Sequence, residues 1–451
     1  MALFLCHNAV TLGGATASYV AVKAARVITV SGEEFAPGVI VIEDGKISAV
    51  GKDLEFPPSA KVIDARGQTV MPGLIHSRSR HGLPGYTRAG VQGDQTAASE
   101  VYPGWMDFGD LIEAGFTAVA FVPDGTDIPG TASVFRTAGP DASRRLADAA
   151  YLQVVPDWNA KGKENLRAAF KKAKEEIEKV DKARKEWEEK QKAPKEKGGE
   201  APEKKPEEKK PDKPSGPAGD VPHTPDATPA ADSPTPAVRI DPPKTDEAEP
   251  AKEEFKPPQI DPKYQPLVDL VQKKEGWRMM VQLTKASDLL HLDDVLKPYE
   301  GVAYVLYLAT AMPTDYNYVA RQLGERKAKV VLRPWIHRLP QTTFRYNLAQ
   351  KLTEAGCEVS FIPFEPNRAE YLRLRSRIAE LVRSGLPRKT AIESLTLNPA
   401  RLLGIEKRLG SIEKGKDADL VFLDGDPLDP HSKVKQTMIL GEIVWSDEKK
   451  P

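Results

Sequence analysis

The sequence predicts an α/β fold, a parallel (β/α)8 barrel joined to a small β-sandwich built from both chain ends, on three observations. Eight β-rich runs follow one another through the middle of the chain, many of them separated by helix-like stretches. Short alternating strands parted by turns occupy both ends. Between the fourth and fifth runs lies a long proline-rich stretch with no aromatic residue, which divides the barrel sequence in two.

The first strands, at 20–30, 38–51 and 61–70, alternate apolar and polar residues, and Glu43-Asp44-Gly45 is a hairpin signal. At the other end 419–423 and 436–445 read the same way, with a turn at Gly441-Glu442. Segments 18–70 and 406–451 are therefore expected to form the composite sandwich. The barrel is expected from 71–160 and 259–405, with strands at 70–75, 117–122, 132–135, 151–155, 278–283, 302–308, 329–334 and 358–363. Strand 3 carries the weakest signal and the helices between strands 2 and 4 are short, so distortion is expected there. Helices are expected at 317–327 and 344–355, the second ended by Gly356.

After strand 4, residues 161–198 read as one extended charged helix. Leu166, Phe170, Ala173, Ile177, Val180 and Trp187 put a narrow apolar stripe on one face. The stripe fits a helix lying against the barrel; the alternative is a coiled-coil partner surface over 163–192, so self-association could use this helix or the barrel. Residues 199–258 are Pro-, Lys- and Glu-rich and are expected to be disordered, because they cannot bury enough apolar area to offset ordering.

The 65 basic and 65 acidic residues balance, which argues against nucleic acid or an acidic membrane surface as partner. Cys6 and Cys357 alone give neither a disulfide framework nor a CxxC metal site. With no span-length apolar stretch and only a short apolar N-terminus, a soluble cytoplasmic protein is expected, secretion being the alternative.

The run Val70-Met71-Pro72-Gly73-Leu74-Ile75-His76-Ser77-Arg78-Ser79-Arg80-His81 resembles the strand 1 signature of the amidohydrolase superfamily, in which Pro-Gly-Leu-Ile precedes an acidic residue and His-x-His. The C-terminal third resembles the same family, through Asn398-Pro399-Ala400 near the end of a helix, Lys416-Asp417-Ala418-Asp419 turning into a strand, and Asp426-Pro427-Leu428. The imidazolonepropionase-like and dihydroorotase-like branches are nearest. The resemblance implies a TIM-like barrel and hydrolysis of C–N bonds other than peptide bonds. It also implies one or two divalent ions such as zinc, held by histidines of strands 1, 5 and 6, a histidine or modified lysine of strand 4 and an aspartate of strand 8.

At these positions the chain departs from the pattern. Arg78 and Arg80 replace the strand 1 histidines, and an arginine has no lone pair for a cation. Gln282 stands at the strand 5 position, strand 6 has no histidine, and Phe364 stands where the aspartate would fall. Glu365 and Asp157 are the remaining candidates for catalytic carboxylates. No metal is expected; the alternative is a makeshift zinc site from His76, His81 and His337 with Glu365, His76 sharing the inward face of the arginines.

Arginines collect near the strand tips instead, at Arg78, Arg80, Arg136, Arg333 and Arg338. One reading has them closed by internal ion pairs with Glu365, Asp124 or Asp157. The other makes Arg78, Arg80, Gln282, Arg333 and His337 the lining of a pocket for a small anionic ligand. Three functions compete: a non-catalytic binding or scaffolding homologue, a divergent hydrolase of cyclic amides, and an interaction protein working through its helix and Pro-rich tether.

Overall fold

The structure is a computed structural model, and it describes residues 17–85, 87–102, 104, 106–192, 254–309 and 314–449. Most of the stretch expected to be disordered, 199–253, lies outside the described residues.

The barrel strands are β1 (Leu74–Ser79), β2 (Phe116–Phe121), β3 (Asp127–Arg136), β4 (Arg145–Val155), β5 (Met279–Leu283), β6 (Tyr304–Leu308), β7 (Lys329–Leu332) and β8 (Glu358–Phe361). They form one eight-stranded sheet in sequence order from β1 to β8. Neighbours pair in parallel except at β3, which is antiparallel to both β2 and β4. The parallel strand expected at 132–135 is therefore wrong in direction and too short. Only residues 122–126 and 137–144 join β3 to its neighbours, and a parallel crossover needs about a dozen or more residues. The chain at 88–99 covers this helix-poor side through isolated bridges such as Val91 to Ile128 and Thr96 to Thr131.

The strand wall is not closed by direct pairing of β1 with β8. The loop at Ser394–Leu395 spans the gap: Ile75 N donates to Leu395 O at 2.9 Å and Phe361 N to Ser394 O at 3.1 Å. The helix expected around Asn398-Pro399-Ala400 is interrupted here, before those residues, which then sit inside the helix Leu397–Leu403. Asn398 Nδ2 donates to Val359 O at 2.8 Å, and Pro399 falls in the first helical turn, where its missing N–H costs nothing.

Alternation sorts the barrel side chains into two layers. Val119, Phe121, Leu152, Met279, Val281, Leu306, Val330, Val359 and Phe361 face outward to the helices. Ile75, Ala118, Ala120, Val134, Tyr151, Met280, Val305, Tyr307, Val331 and Ile362 face the lumen, which Leu402, Leu403 and Leu409 close at the N-terminal end of the strands. Of the charged helix Ala160–Lys192, Leu166, Ala169, Phe170 and Ala173 are buried in the barrel's outer core, as a barrel-side helix requires.

Residues 17–179 and 259–449 make one compact unit, and 180–192 with 254–258 a second. Within the second, Trp187 and Phe255 pack with ring centroids 5.7 Å apart and Arg184 lies over the Phe255 ring.

Strands from both chain ends build the other sheet, in the order Glu442–Ser446, Val434–Ile439, Leu420–Leu423, Lys61–Pro72, Tyr19–Ile28, Gly38–Glu43, Lys46–Gly51. Hydrogen bonding makes it one continuous sheet enclosing its own core of Val22, Ile40, Ile47, Val70, Phe422 and Met438. Asp44 and Gly45 turn the first hairpin with φ of 48° and 78°, and Leu440 and Gly441 the last with φ of 51° and 78°. The last turn thus sits one residue earlier than expected. No helix among the described residues is long and apolar enough to cross a membrane.

Candidate functional site at the barrel mouth

The C-terminal ends of the parallel strands form the mouth, where barrels of this type place their chemistry. The register of β1 slips between His76 and Ser79, and that irregularity sets which side chains point inward. Tyr151, from the lumen side of β4, donates its hydroxyl to Ser77 O at 2.9 Å. Arg78 also turns inward, its guanidinium 4.5 Å from the centre of the Tyr307 ring on β6. Tyr307 pairs in register with Gln282 of β5, so the two occupy one level of the lumen.

His76 points the other way. It is buried against Phe116 and Tyr371, with ring centroids at 5.7 and 6.2 Å, which corrects its expected place on the arginines' face. His81 follows it to the same outer partner: one ring nitrogen lies 3.0 Å from Tyr371 Oη and the other 2.8 Å from Asp107 O. His337 is buried elsewhere, in the short hairpin of His337–Arg338 and Arg345–Tyr346, against the Tyr346 ring. Glu365 and Asp157 are exposed. The alternative zinc set of His76, His81, His337 and Glu365 is therefore not assembled. No group of three His, Cys, Asp or Glu able to hold a metal occurs among the described residues. Of the side chains that the resemblance would place at ligand positions, Arg78 and Arg80 do not fit a divalent cation, because they offer no lone pair and carry like charge.

The two arginines have different fates. Arg80 Nη1 donates to Val122 O at 2.7 Å, Nη2 donates to Pro84 O, and Asp124 lies 4.0 Å away. Its donors are taken up at the end of β2 and in the loop that follows β1. Arg78 has neither an ion pair nor a hydrogen bond among the described residues; its one contact of this kind is the Tyr307 face. Internal pairing with Glu365 or Asp157, which the sequence offered as one reading, does not occur for Arg78. Arg333 lies over the Phe364 ring at 5.8 Å, and its Nε is buried without a partner. Arg136 is not at the mouth at all, since the reversed β3 carries it to the opposite end.

Sequence reasoning missed Ser77, Tyr151, Gln153 and Tyr307 as lumen groups. The period-two alternation of β4 and β6 carried that signal for Tyr151, Gln153 and Tyr307. The same alternation from Ile75 carried it for Ser77, and the register slip that turns Arg78 inward as well left no trace in the sequence.

Burial pushes the His76 imidazole down to about 3, with Arg78 and His81 adding repulsion, and burial alone takes His337 to about 4. Both stay neutral in the folded state at a pH where the unfolded chain protonates them near 6.5. The stability they permit is full above about pH 6.5 and falls as the pH drops, by up to about 1.4 kcal/mol per pH unit for each histidine. Urea midpoints from about pH 7 to about pH 5.5, above most carboxylate titration, should show that decline, and His76→Leu should flatten it. An unchanged slope in the variant would contradict the assignment.

A model of the amidohydrolase family matches residues 366–444. N-acetylglucosamine-6-phosphate deacetylase from Bos taurus is 46% identical over 65 residues, 14% of this chain and 15% of that protein. Dihydroorotase from Lactobacillus helveticus is 33% identical over 98 residues, 22% of this chain and 19% of that protein. The matched segments thus span less than a fifth of either relative. The crystal structure of an amidohydrolase from Thermotoga maritima covers 95% of this chain and 100% of its own, with a TM-score of 0.69 at 21% identity, a likeness of fold. The chain thus matches the amidohydrolase family in sequence over 366–444 and shares the fold of an amidohydrolase over nearly its whole length.

Proposed function

We propose that this chain is a non-catalytic binding homologue within the amidohydrolase superfamily. The observation that carries the reading is the set of side chains at the strand ends. Where the family resemblance calls for metal ligands, Arg78 turns into the lumen, Arg80 is bonded to backbone carbonyls, and Gln282, Tyr307 and Phe364 complete the set. A hydroxide-generating ion would meet a guanidinium there, and the repulsion in a partly buried site would oppose its binding.

A second reading rests on the names of the matched relatives. One is a deacetylase and another a dihydroorotase, and with the C–N hydrolysis and zinc that the family resemblance implies they favour a divergent, zinc-dependent hydrolase. One experiment separates the two. Protein purified without chelator is expected to hold well under one equivalent of zinc, manganese or iron per chain by elemental analysis, and no cyclic-amide hydrolysis. Stoichiometric metal, removed by chelator together with such an activity, overturns the non-catalytic reading.

A further inference from the structure

We propose that the barrel mouth binds a small carboxylate, gripped by the fork of the Arg78 guanidinium where it lies against Tyr307. The proposal rests on the non-catalytic reading, because the ligand would stand where that reading removes the metal.

The argument begins from charge. Arg78 is half-buried, and no carboxylate of the described residues lies within ion-pairing reach of it. A partly desolvated cation without a counter-charge is costly, and the cost is relieved when an anion joins it. Other groups at the mouth do not supply one. Asp124 sits near Arg80, while Asp157 and Glu365 are exposed and enter no ion pair among the described residues. Arg333 adds a second cation, also without an ion pair there. The mouth therefore holds two half-buried guanidiniums, Arg78 and Arg333, without ion pairs among the described residues, an arrangement that favours a small anion.

Geometry then selects the class. Arg78 Cζ lies 4.5 Å from the centre of the Tyr307 ring, a contact that consumes no hydrogen bond, and its N–H donors have no partner among the described residues. A planar edge of paired N–H donors matches a carboxylate bidentately. Ser77 Oγ is fully buried, lacks a hydrogen-bond partner and sits beside Arg78 in the chain. Its hydroxyl can donate to the same anion, which gives that orphaned group the partner that buried polar groups ordinarily have. Tyr151 and Tyr307 are both buried in the lumen-side core, which favours a small acid over a large one.

The test uses the full chain and three probes, acetate, malonate and inorganic phosphate, titrated at constant ionic strength. Binding is read by calorimetry and by the shift in Tm. The parent is expected to show a saturable rise in Tm with a carboxylate. Arg78→Met should abolish it, and Arg78→Lys, which keeps the charge and loses the fork, should weaken binding at least tenfold. Arg321→Met, at an exposed arginine paired with Glu325, should bind as the parent does. If Arg78→Met fails to fold, Arg78→Lys carries the comparison. Absence of a saturable response in the parent, or an equal response in Arg78→Lys, overturns the proposal; phosphate binding more tightly than either carboxylate overturns its ligand class. Metal content measured on the same preparation keeps the two readings apart. Stoichiometric zinc defeats the non-catalytic reading, whereas metal-free protein indifferent to carboxylates defeats only this proposal.

Discussion

Replacing Arg136 with methionine is expected to cost about 3–5 kcal/mol of stability, because it strips a buried ion network of its central cation. Arg136 has no solvent exposure, and its three nitrogens are all engaged. Nε donates to Asp419 Oδ2 at 3.0 Å, Nη2 to Asp417, and Nη1 to Ser143 O at 2.9 Å. The network ties β3 to the segment 417–419 that leads into the second sheet. Its two carboxylates would suffer unequally. Asp417 keeps Lys46 at 2.8 Å and Arg408 at 2.9 Å, and these cations with Arg136 outweigh burial and hold its carboxyl below the usual range. For Asp419 burial outweighs Arg136, so its carboxyl is already pushed up. Without Arg136 it would keep only the N–H of Leu440, at 3.0 Å. Urea unfolding of Arg136→Met, Asp419→Asn and the double variant measures the coupling. The double variant should recover part of the loss, and a single-variant loss under about 1 kcal/mol would contradict this account.

Phe170→Ala is expected to cost a similar amount, about 3–5 kcal/mol. Phe170 lies on the helix Ala160–Lys192, is wholly buried, and packs its ring 5.0 Å from that of Tyr299. Leu166, Ala169 and Ala173 flank it, all at most 3% exposed, so a cavity there has little means of collapse. Lys171→Ala, one residue on and exposed, should change stability by no more than about 0.5 kcal/mol. Equal, small effects at both positions would mean that the helix is not anchored on the barrel. A large loss at Phe170 alone fixes the docked face.

The parts of the fold legible in the sequence are those that local chemistry dictates. Asp44-Gly45 reads as a hairpin because both residues accept positive φ, and Gly356 caps its helix with φ of 104°. The direction of β3 was not legible, because the strand was read as 132–135, and only its full span Asp127–Arg136 leaves connections too short for a crossover. At the candidate site, the residue types at the strand ends could be read one by one. Which arginine remained without a partner could not. Arg78 and Arg80 are alike in sequence, and they differ because carbonyls at the end of β2 and in the loop after β1 meet one and an aromatic ring meets the other. His76 was misplaced for a related reason. Alternation predicts orientation only while the register holds, and β1 slips at that residue.

The gap between β1 and β8 gives the barrel the mechanics of a split ring. Around most of its circumference, neighbouring strands are laced by ladders that yield only when several bonds break together. At one meridian the wall hangs on two amides, Ile75 and Phe361, each reaching a carbonyl of the Ser394–Leu395 loop. That loop leads directly into the helix Leu397–Leu403, whose Leu402 and Leu403 plug the lumen floor. Any widening at this clasp must carry the plug with it, so the girth of the barrel and the depth of its lumen change as one coordinate. Arg78 stands on one lip of the split, on β1, and Tyr307 on the far wall, which makes their stacking contact a strut across the ring.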